Sequence, residues 1–110
     1  MPMTALYPSS APTRNDLDLA PGDVLLQFGV DWCGHCKAAE PAIAQALTAF
    51  PGLRHLRIED GAGRPLGRSF RIKLWPTLVL LRDGQELARL VRPTQAAQVL
   101  ALLRPVGGAI

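Results

Sequence analysis

The stretch Asp31-Trp32-Cys33-Gly34-His35-Cys36-Lys37 contains both cysteines of the chain, three positions apart. The short apolar run at residues 24–29 precedes it and follows a Pro-Gly pair, a pattern typical of a buried strand. After Cys36, apolar residues recur at spacings of three and four as far as Phe50, which predicts a helix. The cysteine pair therefore falls where a strand passes into a helix.

The two cysteines are predicted to have different chemistry. Cys33 falls at the start of the helix, where unpaired N–H groups and the helix dipole favour the thiolate, the form that attacks a disulfide. Cys36 lies one turn further in, more buried and placed to resolve a mixed disulfide on Cys33. Gly34 allows the close approach of the pair, and a protonated His35 would add a cation beside the thiolate. Lys37 completes the motif, so a redox-active dithiol is the favoured interpretation.

Two other interpretations of the cysteine pair stay open. A zinc site needs about four ligands. Beyond the cysteines the chain offers only His35, His55 and carboxylates, so the alternative of a metal site includes a dimer in which two chains share the metal. A packed, inert pair of thiols is the structural alternative. We expect no metal and no cofactor other than the Cys33–Cys36 disulfide.

The remaining pattern predicts a small α/β domain with one mixed sheet and helices on both of its faces. We expect a helix bent at Pro41, a second strand at residues 53–59, a brief helix at 65–70 and a hairpin of two strands, Thr77–Arg82 and Gln85–Val91. A last helix is expected after Thr94, its N-cap, with an apolar face of Ala96, Val99, Leu100 and Leu103. Residues 1–110 form one predicted domain: an irregular segment at 1–23, in which a short strand at 4–7 and a stunted helix at 13–19 are possible, a core at 24–103 and a tail at 104–110.

Composition excludes several classes of protein. The 110 residues carry a net charge of +3, too small by itself to indicate nucleic-acid binding. No apolar run approaches the ~18 residues of a bilayer span, and the first residues lack a secretory signal pattern. We therefore expect a cytoplasmic protein that binds neither nucleic acid nor membrane. The cationic stretch at residues 54–73 is interpreted as a solvated surface, with a docking patch for an acidic protein as the alternative.

The cysteine motif resembles the active site of the thioredoxin superfamily, in the Cys-Gly-His-Cys version typical of protein disulfide isomerase domains. Pro41 falls where thioredoxin-like helices carry their kink, Trp75-Pro76-Thr77 is similar to the family's cis-proline loop, and Asp83-Gly84 matches its hairpin turn. The resemblance covers roughly residues 24–103 and implies a thioredoxin fold with an abbreviated N-terminal strand and helix. It also implies a thiol–disulfide oxidoreductase that acts on disulfide-containing proteins and is regenerated by an external reductant such as thioredoxin reductase or glutathione.

The resemblance assigns further residues to substrate binding. It implies that the bond before Pro76 is cis and that Pro76 faces the cysteines. The backbone of Trp75 would then pair with an extended substrate segment, with Pro76 and Thr77 beside it. Arg92 stands where a glycine usually lines the substrate groove. It either narrows the groove and selects acidic partners or is a solvated loop arginine.

Departures from the family pattern concern the environment of Cys36. Gln27 stands where a buried aspartate is usual, and an amide cannot accept and return a proton near neutral pH. Arg57 replaces a usual lysine, and Glu59 is its predicted partner. We therefore expect slower proton transfer at Cys36, or transfer through water, Lys37 or Glu59.

Two expectations concern the overall activity. Because His35 stabilises the reduced thiolate, we expect the protein to be less reducing than ordinary thioredoxin. The alternative function is a thioredoxin-fold binding module or co-chaperone that holds partner segments on an exposed surface of Trp32 and Trp75, with little turnover.

Overall fold

The computed structural model describes residues 7–106 as a four-stranded sheet in the order β2-β1-β3-β4, packed by helices. The elements in chain order are α1 (Arg14–Leu19), β1 (Asp23–Gly29), α2 (Gly34–Leu47), β2 (Arg54–Glu59), α3 (Pro65–Ser69), β3 (Thr77–Arg82), β4 (Gln85–Val91) and α4 (Ala96–Leu102). Each predicted element within the described residues is present, and both hairpin strands have the predicted bounds.

The sheet is mixed, as predicted, and β1 lies inside it. It pairs parallel with β2 and antiparallel with β3, which in turn pairs antiparallel with β4. A parallel pair requires a crossover connection, and α2 supplies it between β1 and β2. Because β1 is bonded on both sides and covered on both faces, every one of its residues after Asp23 is buried.

Alternation along β1 divides the core into two layers. Leu26 and Phe28 pack on one face with Leu17 of α1 and Leu66 of α3. Leu25 faces the other way and packs with residues of α2 and α4. The helices therefore cover both faces, as predicted. The period of two also places Gln27 on the face that α2 covers.

The N-terminal segment is partly regular. The possible strand at residues 4–7 lies, apart from Tyr7, outside the described residues. The stunted helix is present as α1. Thr13 caps it, since its hydroxyl accepts from the Asp16 N–H at 3.0 Å and the Asp16 carboxylate accepts from the Thr13 N–H at 2.9 Å.

The start of the last helix corrects one prediction. Gln95, rather than Thr94, is the N-cap of α4. The side-chain oxygen of Gln98 accepts from the backbone N–H groups of Thr94 and Gln95 at 2.7 and 3.0 Å. The Thr94 hydroxyl donates to that same oxygen at 3.2 Å, so Thr94 lies one residue before the cap and bonds to the side chain of Gln98. Within residues 7–106, every helix is too short or too polar to span a bilayer.

Candidate active site

Cys33 is the N-cap of α2, at the junction of β1 and the helix. Its backbone is extended, and its Sγ accepts from the Cys36 N–H at 3.4 Å. The sulfur therefore occupies the place of a capping oxygen, which satisfies one of the free donors of the first turn. Both cysteines are free thiols here; Cys36 is 1% exposed and Cys33 is 9% exposed.

The surroundings separate the pKa values of the two thiols. Burial raises the pKa of Cys33, but hydrogen bonds from Cys36, the backbone N–H of His35 and the charge of Arg92 outweigh it, so the net pKa lies below its ordinary value. Burial is also the largest influence on Cys36; together with the Cys33 sulfur it raises the pKa of Cys36 to about 11. A thiolate at Cys33 beside a protonated Cys36 is the arrangement that nucleophilic attack followed by resolution requires.

Two tryptophans form the rim of the site. Trp32 is 74% exposed. Its ring meets that of Trp75 edge to face, with centroids 5.7 Å apart. Trp75 packs against the cluster that contains both cysteines, and its indole N–H donates to Asp60 at 2.8 Å. The predicted surface of Trp32 and Trp75 therefore exists and lies beside the thiols.

The loop before β3 carries a cis peptide bond between Trp75 and Pro76. Pro76 is buried, and the hydroxyl of Thr77 donates to the Leu74 carbonyl at 2.6 Å. Arg92 holds this loop at two points: its backbone N–H donates to the Pro76 carbonyl, and its Nε donates to the Trp75 carbonyl, each at 2.9 Å. Arg92 is half-buried, with φ at 51°. Arg92 is therefore a half-buried loop residue bonded to the Trp75–Pro76 loop, and its effect on the choice of substrate stays a prediction.

A buried polar network lies behind Cys36. Gln27 is fully buried, and its Nε2 donates to the Tyr7 hydroxyl at 2.8 Å and to Glu40 at 2.6 Å. Its Oε1 lies 2.8 Å from Nε2 of His55. Glu40 also accepts from Arg57 at 2.7 Å. The amide that replaces the family's aspartate is thus bonded at both ends.

The partner predicted for Arg57 is wrong. Arg57 pairs with Glu40 of α2, whereas Glu59 pairs with Arg64 at 3.1 Å. Arg57 and Glu59 share a strand face, but α2 lies over that face and brings Glu40 to Arg57. Glu59 ends β2, where Arg64 from the following loop reaches it. Lys37 is exposed on α2, and its predicted part in proton transfer stays a prediction, as does that of Glu59.

The thioredoxin family model matches residues 12–104, most of the chain. The chain belongs to the thioredoxin family. A solved structure, thioredoxin 2 of Pseudomonas aeruginosa PAO1 in its reduced form, is 50% identical, covers 93% of this chain and 94% of that one, and superposes with a TM-score of 0.82. The fold predicted from the sequence is therefore confirmed.

Among curated relatives of this thioredoxin-family chain, protein disulfide-isomerase A3 of Gallus gallus is 31% identical over 101 residues, 91% of this chain and 20% of that protein. Thioredoxin H2-1 of Oryza sativa subsp. japonica is 32% identical over 68 residues, 62% of this chain and 49% of that protein. The chain thus spans half or less of the length of these relatives.

The sequence did not identify three residues of this network as part of the site: Tyr7, Glu40 and His55. Glu40 lies four positions after Cys36, one helical turn away, so its place on the same helix face was readable from the spacing. His55 falls within the predicted second strand, and nothing in the sequence connects it with Gln27. It bonds Gln27, and burial followed by the charge of Arg57 lowers its pKa to about 4. Tyr7 lies in a proline-interrupted segment with no periodicity, and nothing in the sequence brings it to Cys36.

Metal ligands are not clustered in the part of the chain that the structure describes: residues 7–106 contain no group of three or more His, Cys, Asp or Glu side chains placed to hold a metal ion. The network behind Cys36 is joined by hydrogen bonds instead, with His55 bonded to an amide.

Proposed function

We propose that this chain is a thiol–disulfide oxidoreductase that exchanges disulfides with protein substrates through Cys33 and Cys36. The observation that carries the proposal is the unequal pair of thiols at the start of α2, in which Cys33 caps the helix and Cys36 lies buried one turn in. Membership of the thioredoxin family and the likeness to a reduced thioredoxin support it.

The proposed reaction balances as two successive exchanges. The Cys33 thiolate attacks one sulfur of the substrate disulfide, forms a mixed disulfide and releases the other sulfur as a thiolate. That thiolate takes the proton of Cys36. The Cys36 thiolate then attacks Cys33 Sγ, closes the Cys33–Cys36 disulfide and releases the second substrate thiolate, which takes a proton from solvent. The substrate gains two electrons, and an external dithiol or glutathione returns two electrons to the protein.

Substrate binding is assigned to the Trp75–Pro76 loop and the tryptophan rim. We infer that an extended substrate segment lies along Trp75 and pairs with its backbone, beside Pro76 and Thr77 and against the exposed Trp32. Arg92 places a positive charge beside this loop. Its Nε donates to the Trp75 carbonyl, and its charge lowers the pKa of Cys33. Substrates with acidic side chains near the attacked cysteine are therefore favoured.

Two finer properties follow from the same site. Hydrogen bonds and positive charge that stabilise the Cys33 thiolate favour the reduced form, so we infer a disulfide that is less reducing than that of ordinary thioredoxin. Both cysteines of the chain belong to this pair, which suits a reducing compartment, and we infer the cytoplasm. Thioredoxin reductase and glutathione are the candidate reductants, distinguished by supplying each in turn to an insulin-reduction assay.

The experiment that tests the function is a trap with Cys36→Ala. This variant forms the mixed disulfide but cannot resolve it, so substrate proteins are expected to accumulate covalently on Cys33 and to be released by strong reductant. Cys33→Ala is the matched control and is expected to trap nothing. If partners stay bound to both variants in strong reductant, the protein is a binding module that uses the Trp32 and Trp75 surface, and the proposed function is wrong.

A further inference from the structure

We propose, building on the function above, that the Tyr7 hydroxyl is a fixed hydrogen-bond donor to Cys36 Sγ, aimed by Gln27, that stabilises the thiolate formed when Cys36 resolves the mixed disulfide. Tyr7 comes from a segment far from the motif in sequence, and it is the only tyrosine of the chain. It is 2% exposed and packs with Val30 and both cysteines.

The direction of the hydrogen bonds is fixed by Glu40. Its carboxylate can only accept, so the Gln27 atom 2.6 Å away must be the nitrogen Nε2. The same nitrogen donates its second hydrogen to the Tyr7 oxygen, 2.8 Å away. The other end of the amide, Oε1, is therefore an acceptor and takes the Nε2 hydrogen of His55 at 2.8 Å.

Charge and protonation reinforce this direction. Arg57 holds the second oxygen of Glu40 at 2.7 Å and neutralises the carboxylate. Burial lowers the pKa of His55 to about 4, so the ring is neutral at physiological pH and one nitrogen carries one hydrogen. Each member of the chain from His55 to Gln27 to Tyr7 then donates onward, and the amide cannot reverse without placing its oxygen against Glu40.

The Tyr7 hydrogen is left to point at the Cys36 sulfur. Its oxygen already accepts from Gln27, and the Tyr7 oxygen and Cys36 Sγ lie over the same point of β1. A Cβ built on Gly29 would lie 2.6 Å from that oxygen and 2.7 Å from the sulfur. A hydrogen bond from Tyr7 to this sulfur acts to lower the pKa of Cys36, against the larger effect of burial.

Tyr7 acts as a donor and not as a base. Burial raises the pKa of its hydroxyl far above the ordinary value. Both hydrogens of the neighbouring amide are already donated, so no proton can pass through Gln27 to Glu40. The Cys36 proton therefore does not leave through this network, and in the proposed reaction the released substrate thiolate takes it. Tyr7 packs in the same cluster as the reacting cysteine, whereas Gln27 and Glu40 act through Tyr7 and are positioning residues.

The test is the two-step reaction of the reduced full-length protein with dithiobis(nitrobenzoate), followed by stopped flow across a pH series. The first nitrobenzoate thiolate reports attack by Cys33 and the second reports resolution by Cys36. In Tyr7→Phe we expect the second step at neutral pH to slow about three- to tenfold and its pH profile to move upward. That is the loss of one charge-assisted hydrogen bond, partly offset by the higher nucleophilicity of the more basic thiolate. The first step should be unchanged.

Two further variants test whether Glu40 and Gln27 orient the Tyr7 hydroxyl or instead carry the Cys36 proton. Glu40→Gln releases the amide of Gln27 from its fixed orientation and should slow resolution less than Tyr7→Phe does. Gln27→Leu removes the hydrogen bond that orients the Tyr7 hydroxyl and should slow resolution almost as much as Tyr7→Phe does. Thr13→Ala, which loosens the cap of α1 in the same N-terminal segment, is the matched control and should leave both steps unchanged.

Fluorotyrosine provides a test that preserves the fold, because its incorporation alters Tyr7 alone. A more acidic phenol donates more strongly, so we expect the pH profile of the second step to move downward, opposite to Tyr7→Phe. If neither change moves that profile, or if Glu40→Gln slows resolution more than Tyr7→Phe does, the proposal is wrong. Absence of the first step would instead contradict the proposed function.

Discussion

The backbone N–H of His35 contributes to the lowered pKa of Cys33, whereas the sequence had suggested its imidazole for this role. The amide helps to lower the pKa of Cys33, and the side chain is exposed. At the second position of a helix, the N–H is one of the donors without an intrahelical partner, and a capping sulfur can receive it. We therefore expect His35 to affect the thiolate mainly through its main chain.

Replacing His35 separates these two contributions. Proline is tolerated in the first turn of a helix but has no N–H. His35→Pro is therefore expected to raise the pKa of Cys33 and to make the reduction potential more negative, by about 10–30 mV for a hydrogen bond worth roughly 0.5–1.5 kcal/mol. Equilibration with glutathione measures it. His35→Ala keeps the amide and should shift the potential less; an equal shift in both variants would show that the imidazole is the active group.

The cysteine roles were readable from the sequence because a helix start polarises whatever residue occupies it, a rule that needs only local structure. The partner of Arg57 was not readable in this way. Strand periodicity offered Glu59, but the choice between Glu59 and Glu40 depended on how α2 lies over the sheet. Packing between elements decided that contact.

At the scale of the elements, the turn between β3 and β4 ties the N-terminal segment to the sheet. Asp83 and Gly84 both have positive φ, 50° and 81°, as a two-residue hairpin turn requires. The Asp83 side chain accepts from the Gly22 N–H at 2.7 Å, and its own N–H donates to the Gly22 carbonyl at 2.9 Å. One turn therefore joins two strands and anchors the entry to β1.

Gly84→Ala tests this junction. A Cβ there would lie 2.1 Å from the backbone carbonyl oxygen of Asp18, and alanine is strained at positive φ. We expect the free energy of unfolding to fall by roughly 2–3 kcal/mol, measured by urea denaturation. Gly52→Ala is the matched control, because a Cβ at Gly52 meets no atom within 4 Å. Equal stability of the two variants would contradict the close approach of α1 to the turn.

Element identity was predictable where local signals agreed. The Asp-Gly turn gave both hairpin strands their observed bounds, and the period of three and four gave α2. The start of α4 was missed because two polar residues in succession, Thr94 and Gln95, can each occupy an N-cap. The long side chain of Gln98 folds back on both N–H groups and places the cap one residue later.

At the scale of the whole molecule, His55 couples the redox site to stability. It lies on β2 against Gln27 of β1, and it is faced by Arg57 and by Glu40 of α2. Burial and then Arg57 lower its pKa to about 4, while Glu40 acts in the opposite direction more weakly. Protonation of His55 therefore opposes the folded state.

The sign of the pH dependence follows directly. The folded pKa of about 4 lies below the ordinary value of 6.5, so the unfolded chain binds the proton first as pH falls. The neutral ring's contribution to stability is complete above pH 6.5 and declines as pH falls toward 4. After allowance for the partial exposure of the ring, the loss is roughly 2 kcal/mol.

Urea denaturation between pH 7 and pH 4 measures this loss. His55→Gln cannot titrate and should show a flatter dependence, while carboxylates contribute equally to both proteins and cancel in the difference. Parallel curves for the two proteins would mean that His55 is protonated equally in the folded and unfolded states.

The architecture as a whole could be predicted because it follows from short-range patterns joined by a few topological rules. Alternating elements, a crossover helix and an antiparallel hairpin leave little choice except a mixed sheet covered on both faces. The place of Gln27 near Cys36 could be predicted, but its partners Tyr7, Glu40 and His55 could not, because they come from three other segments and meet Gln27 only when the layers are packed. The reactive cysteine pair could be identified from the sequence, but the groups that bond Gln27 behind Cys36 could not.

The pH dependence of alkylation shows whether the start of α2 holds Cys33 as a thiolate. Iodoacetamide labelling of Cys36→Ala, in which Cys33 is the only thiol, gives the ionisation of that sulfur, and the same protein in denaturant is the control. We predict half-maximal labelling in the folded protein clearly below the pKa of about 8.5 typical of an unstructured thiol. Identical profiles for the folded and denatured chains would contradict the account.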